Sequence, residues 1–453
     1  MRDVNGQTGG PRLTVLRKLV FVGLAGVVTG GLSWNSGYAG QPNPGPSPSS
    51  RIGGTVNVLG VWGGDELQSF LAMVAPFEGR TGVKVEFEGT RDINAVLTTR
   101  VKGGNPPDVA ALPGPGRISE YARSGTLVPL DSMVDRTALS QDYARSWLDL
   151  TTVKGRLYGV FIKVAVKGLI WYDPKVFRAN RYGVPRTWDE LLALTDHIAR
   201  QNRTPWCIGL ESGAASGWPA SDWIEMIMLR TAGADRYTKW YRHEIAWTDP
   251  AVKKAWTLFG KIAANPRYVH GGIQGELATN FGESPFPLFT DPPGCYLHNQ
   301  ASFIQGFLAK QYPNLRPWED VNFFSFPPIV RSVPQAVEVA GDLFGVFRDT
   351  PQARALIKYL VTPEAQAIWV KRGGALSPNR RVDPRVYPDP LSRRMAGILT
   401  AAKTVRFDAS DIMPDEAGNA FLTGTLEYVQ HPDRLDRILR EINRIATAAA
   451  ARP

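Results

Sequence analysis

The chain has 453 residues, 43% hydrophobic and 21% charged, enough for about two or three packed domains and ordinary for a globular protein. Its formal charge of +10 comes from scattered basic residues with no continuous Lys/Arg run, which argues against nucleic acid as a partner. Thirty-five prolines and forty-five glycines imply many turns and irregular connections and exclude an architecture of long helical rods.

Four basic residues, Arg2, Arg12, Arg17 and Lys18, precede the apolar stretch Leu19 to Ser33. At about 15 residues this stretch is short for a membrane span and reads as a secretory signal segment. We take residues 1–39 as that segment and 40–53 as a Pro/Ser-rich linker, with an uncleaved N-terminal anchor as the alternative. No cysteine stands at the cleavage point, so ordinary lipid attachment there is chemically unavailable. Cleavage after Ala39 removes four basic groups and one acid and leaves a net charge of +7.

After the linker, Gly54 to Leu59 alternates as a strand. DELQSFLAMVAPFEGRTG follows as a helix with Leu67, Phe70, Leu71, Val74 and Phe77 on one face and Gly82 as its stop signal. Val83 to Gly89 reads as a second strand, Asp92 to Val101 as a helix and Val109 to Leu112 as a short apolar strand. This strand–helix alternation predicts an α/β layout with a largely parallel sheet. Ligands of such sheets gather at the strand C-terminal ends, which singles out GVWGGDE, GTRD and LPGPG. Trp62 there is either a packing residue or an aromatic platform; Asp65, Glu66, Arg91 and Asp92 are either surface charges or ligand groups.

The apolar segment YGVFIKVAVKGLIWY, Tyr158 to Tyr172, is interrupted by Lys163 and Lys167. We read Val160 to Ile170 as a connection crossing between two α/β units, with Lys163 either a snorkelling surface amine or a cleft group. The second unit opens with a helix in VPRTWDELLALTDHIARQ, where Thr187 and Glu190 form a capping box. Nine of the thirteen tryptophans fall between Trp147 and Trp256. In WCIGLESGAASGWPASDWIE, the groups Glu211, Ser212, Trp218 and Asp222 stand among small residues. Carboxylates that accept from hydroxyls and aromatic faces that cover C–H surface suit a neutral, hydroxyl-rich ligand.

Cys207 and Cys295 are the two cysteines, and in an exported chain they read as one disulfide. The alternatives are a catalytic cysteine using His298 as base, and a metal site, although the spacing has no zinc signature. Toward the C-terminus, a helix is expected from about Thr350 to Leu360. Another starts at Thr362 and Glu364 and ends near Val370, and a last one lies beyond Pro432 with Leu435, Ile438, Leu439, Ile442 and Ile445 at helical spacing.

Taken together, GVWGGDE, PPDVAALPGPG, LIWYDPKVF followed by PRTWDELL, and AGDLFGVFRD ahead of TPEAQAIWVKRGGALSPN resemble the extracellular sugar-binding proteins of bacterial ABC importers, the maltose-binding-like family. WCIGLESGAASGWPASDWIE and DPPGCYLHNQASF are similar to the subgroup associated with α-glucosides, and the resemblance extends over nearly all of the chain from Gly54. It implies a bilobed periplasmic-binding-protein-like α/β fold of type II, cluster-C-like, its lobes joined by hinge crossings and closing over a sugar. Lobe 1 would hold residues 54–161 and 339–372, and lobe 2 residues 162–338 and 373–453. Carried over by position, Trp62, Asp65, Arg91, Asp92, Pro113, Gly114 and Pro115 would serve the first lobe. Glu211, Ser212, Trp218, Asp222 and Tyr296 would serve the second, with Gly341, Asp342 and Arg372 at the return crossing. The resemblance also supports the Cys207–Cys295 bridge, as a tie between the loops of Glu211 and Tyr296. It implies a neutral disaccharide or oligosaccharide as ligand, a membrane permease as partner, a monomeric state, a periplasmic or extracytoplasmic location, and no catalysis, cofactor or metal. Paired carboxylates and tryptophans also describe a glycoside hydrolase, but two open α/β units do not match the eightfold repeat of a barrel. A binding protein of the same kind for a polyol, a glycerol diester or a peptide is the other reading.

Overall fold

A computed structural model describes residues 51–451; the expected signal segment and most of the linker lie outside the described residues. The first strand is Thr55–Gly60 (β1), followed by the helix Gly64–Thr81, whose apolar face buries Phe70, Met73, Val74 and Phe77. Gly82 ends that helix in the left-handed conformation at φ 70°, where a Cβ would be strained. Lys84–Gly89 (β2), the helix Ile93–Lys102 and Val109–Leu112 (β3) follow, each within two residues of its expected limits. β1 lies between β2 and β3 and runs parallel to both.

A small hairpin, Thr152–Val153 (β4) with Arg156–Leu157 (β5), leads into Val160–Val166 (β6). Every residue of β6 is buried. Leu169–Tyr172 (β7), His298–Gln300 (β8) and Asn322–Ser325 (β9) form a separate three-stranded sheet with β7 at its centre. This sheet is wholly antiparallel, so parallel pairing is limited to the first sheet, where it joins β1 to β2 and β3 and the later strand Val337–Val346 to Val405–Phe407. Val337–Val346 (β10) returns to the first sheet antiparallel to β3 and β6, and Val405–Phe407 (β11) pairs with the start of β10.

Two apolar cores result. The first gathers β1 to β3, β6, β10 and their helices, and takes Leu169, Trp171 and Phe323 from one face of the three-stranded sheet. The opposite face, Ile170, Tyr172 and Phe324, belongs to the second core with Trp206, Trp223, Trp240, Trp247 and Trp256, as the two-residue period of a strand requires. Ala375, Leu376, Leu391 and Met395 pack into the first core, while Phe407 and Ala409 belong to different cores. The last change of core therefore falls after Phe407 and not after Arg372. The helices Pro351–Leu360, Pro363–Arg372 and Leu435–Ala450 stand where their apolar spacing put them. Thr187 accepts from the Glu190 amide as expected, but Glu190 reaches back to the Arg186 amide, one residue short of a full capping box.

Cys207 and Cys295 are joined in a disulfide with their Cα atoms 5.6 Å apart. His298 Nδ1–H donates to the Cys207 carbonyl at 2.9 Å, and burial lowers its pKa to about 4, so the ring is neutral near pH 7. With both sulfurs in the bridge, neither a catalytic thiol nor a thiolate metal ligand remains. The bridge closes a segment of 88 residues, and loops of that order are stabilised by roughly 2 to 5 kcal/mol. Replacing both cysteines by alanine should lower the unfolding free energy by about that amount in a denaturant titration; an unchanged transition would contradict a structural role.

Candidate functional site

A cavity of about 670 Å³ opens where the loops of the first sheet face the helices of the second core. The loops after the three parallel strands supply Val61, Trp62 and Glu66, then Arg91 and Asp92, then Pro113 and Gly114, the strand ends at which an open α/β sheet receives ligands. Lys163, Lys167, Gly341 and Asp342 form the floor, on or beside β6 and β10. The facing wall is made by Ser212 to Trp218, Phe281, Phe303 and the segment from Asp408 to Thr423.

The floor is built from buried charge. Lys163 Nζ donates to Glu66 at 2.5 Å and lies 3.2 Å from Asp342. Burial alone would lower this ammonium's pKa, but the carboxylates of Asp342 and Glu66 outweigh it and hold it above its ordinary value. Lys167 Nζ donates to Asp222 and to Asp408, at 2.6 Å each. Burial pushes the Asp222 carboxyl up to about 7, against the pull of Lys167. Asp408 is buried too, but Lys167, Ser410 Oγ and the Asp411 amide keep its carboxylate below the usual range. Lys167 and Asp408 thus form the ionised pair, with Asp222 as the softer partner.

The aromatic surface comes chiefly from the second wall. Gly217 has φ 101°, and a Cβ on it would lie 2.4 Å from the Leu422 carbonyl oxygen. Only glycine lets the chain turn there into the helix Trp218–Thr231. The half-buried Trp218 ring sits edge-on to Phe281 at 5.1 Å, with Lys167 Nζ 5.1 Å from its centroid. Trp62 is different: it is stacked on Phe87 and edge-on to Trp369, so its faces belong to the first core. Its Nε1–H serves the Asp342 carboxylate, whereas the Ser212 hydroxyl is a buried cavity-lining group without a hydrogen-bond partner among the described residues. A buried orphan costs about 1 to 3 kcal/mol, which a ligand acceptor would recover.

Of the positions singled out in the sequence, Trp62, Arg91, Asp92, Pro113, Gly114, Lys163, Ser212, Trp218, Gly341 and Asp342 line the cavity; six do not. Asp65 reaches across to Lys310 at 2.9 Å, and Pro115 is the buried first residue of a helix. Glu211 accepts from Asn280 Nδ2 and from the Gly213 amide, bracing the loop that carries Ser212. Asp222 stands behind Lys167. Tyr296 is buried in the second core against Tyr182. Arg372 donates to Ser69 and ties two helices of the first core. The readings missed Lys167, Arg117, Phe281, Phe303, Asp408, Asp411 and Asp415. Lys167 carried a signal, since a second lysine in an otherwise apolar crossing must find a carboxylate.

The two walls touch. Arg117 pairs with Asp415, and the Arg91 guanidinium lies 4.9 Å from the centre of the Phe281 ring. Gly114 packs so closely that a Cβ would stand 2.4 Å from Asp411 Cβ and 2.6 Å from its carbonyl oxygen.

Comparison with known proteins agrees with this architecture. The family model described as bacterial extracellular solute-binding protein matches residues 63–367. The osmoprotective compounds-binding protein GgtB of Synechocystis is 41% identical over 379 residues, 83% of this chain and 89% of that protein. The alpha-glucosides-binding periplasmic protein AglE of Rhizobium meliloti is 41% identical over 386 residues, 83% and 84% of the two chains. Among solved structures, the bacterial solute receptor AcbH superposes with a TM-score of 0.76 at 19% identity, over 87% of this chain and 99% of that one. The neighbours share the bilobed α/β fold.

The Gly114 contact generates a prediction. Its backbone is extended at φ −157°, so alanine is tolerated locally and acts only by keeping the walls apart. Gly114→Ala should enlarge the radius of gyration in small-angle X-ray scattering with little change in unfolding temperature; an identical scattering profile would show that this contact does not limit closure.

Proposed function

The chain belongs to the bacterial extracellular solute-binding protein family, and from that premise we propose that it delivers a neutral α-glucoside, of disaccharide size or a glucosylated polyol, to its importer. Proteins of this family are the extracytoplasmic receptors of ABC importers and are not enzymes. The names of its relatives point to α-glucosides in one case and osmoprotective compounds in the other; small neutral glucosides satisfy both.

The observation that carries the reading is the charge state of the cleft. Every cation lining the cavity already faces a carboxylate: Lys163 has Glu66 and Asp342, Lys167 has Asp222 and Asp408, Arg117 has Asp415, and Arg91 has Glu66 at 3.8 Å. Among the described residues that line the cavity, no unpaired positive charge is left for a phosphate or carboxylate. Carboxylate lone pairs and the Ser212 hydroxyl remain to engage sugar hydroxyls, and the Trp218 face covers the C–H surface of a ring. Binding shifts the equilibrium toward the form in which Gly114 meets Asp411 and Arg117 meets Asp415. The closed monomer then docks on the permease.

Calorimetric titration of the chain from residue 51 with trehalose, sucrose, maltose, palatinose and glucosylglycerol tests this. One or more should bind saturably, and Trp218→Ala should weaken that binding by about tenfold to a hundredfold, or about 1.4 to 2.8 kcal/mol. Silence with all five, or full affinity in the variant, would contradict the proposal.

A further inference from the structure

A second cavity, of about 300 Å³, lies behind the crossing strands. It shares Lys167 with the cleft, and its wall includes Leu169, Phe326, Pro327, Pro328 and Ile398. Glu338, the second residue of β10, lines it and is 0% exposed, yet neither carboxylate oxygen has a hydrogen-bond partner among the described residues. The neighbouring ammonium is already committed: Lys167 donates to Asp222 and Asp408. Carboxylate oxygens of Asp222, Glu338 and Asp408 all lie within 4.8 Å of one another, and burial, with Asp408 and Asp222 beside it, holds the Glu338 carboxyl well above its ordinary pKa, so that it keeps its proton unless a cation joins it.

Arg230 lines the same cavity and has the opposite deficit. It is 6% exposed and makes no ion pair among the described residues; its Nε donates to the Phe326 carbonyl at 3.0 Å and Nη1 to that of Met226 at 3.4 Å. Burial lowers its pKa to about 10, against the favourable field of Glu338. Glu338 and Arg230 form no ion pair with one another, and both border the same apolar-walled space. A metal ion would satisfy Glu338 but not Arg230, and an anion the reverse.

We propose that this cavity binds a small zwitterion of the amino-acid type, its ammonium on Glu338, its carboxylate on Arg230 and its apolar part against the proline and phenylalanine wall. This goes beyond the glucoside reading and does not depend on it. The ligand ammonium would favour the ionised form of Glu338 and the ligand carboxylate would pair the guanidinium of Arg230, so each buried ion gains a partner. Because Lys167 borders both cavities, an occupant here adjoins the floor of the cleft.

Calorimetry with glycine, L-alanine and L-proline tests it on the chain from residue 51. At least one should give saturable one-site heat, weakened tenfold or more in Glu338→Gln. Ser325 is an exposed residue of the cavity wall, so Ser325→Trp should block the site without disturbing the buried charges. Absence of saturable heat with all three, or binding that persists unchanged in Ser325→Trp, would overturn the proposal.

Discussion

Two ammonium groups buried four residues apart, one on β6 and one just past its end, organise this molecule. An uncompensated ammonium in a protein interior costs several kcal/mol, so Lys163 and Lys167 require carboxylates in fixed positions. These come from distant parts of the chain: Glu66 lies 97 residues from Lys163, and Asp222 and Asp408 lie 55 and 241 residues from Lys167. The first helix, β10, the helix of Trp218 and the last crossing are therefore drawn to one place. That place is the floor of the cleft.

The same pairing sets what the cleft can receive. Charges already neutralised in a low-dielectric wall offer little to an ion and much to a neutral molecule that can share their remaining lone pairs and protons. The aromatic wall of Trp218, Phe281 and Phe303 adds apolar contact without charge. The walls meet through different groups: Gly114 at its contact with Asp411, and the Arg117–Asp415 pair. On the proposed function, ligand recognition and approach of the walls use largely separate residues.

Much of this could be read from the sequence, for reasons that differ by element. The early strands and helices were legible because each apolar period is long and ends at a glycine such as Gly82, and the loops at their ends follow from the handedness and direction of parallel sheets. The segment from Ser212 to Trp218 was legible because small residues around a tryptophan leave it uncovered. Trp62 was ambiguous, since a strand-end tryptophan can turn inward, and here Phe87 and Trp369 cover it. Tyr296 failed because the disulfide fixes its backbone but not the face its ring takes. Asp408 and Asp411 were not legible: in DASDIMPDE they look like ordinary helix-capping acids, and only the fold carries them to Lys167.

The central claim, that the cleft is charge-neutralised and takes an uncharged sugar, is tested most directly by comparing its affinity for the tightest-binding neutral glucoside with that for the same sugar carrying a phosphate. The account predicts that the phosphate weakens binding by tenfold or more, because each lining cation already has a carboxylate partner and further carboxylates repel the anion. Equal or tighter binding of the phosphorylated sugar would contradict it and would mean that the ion pairs open to meet a charged ligand.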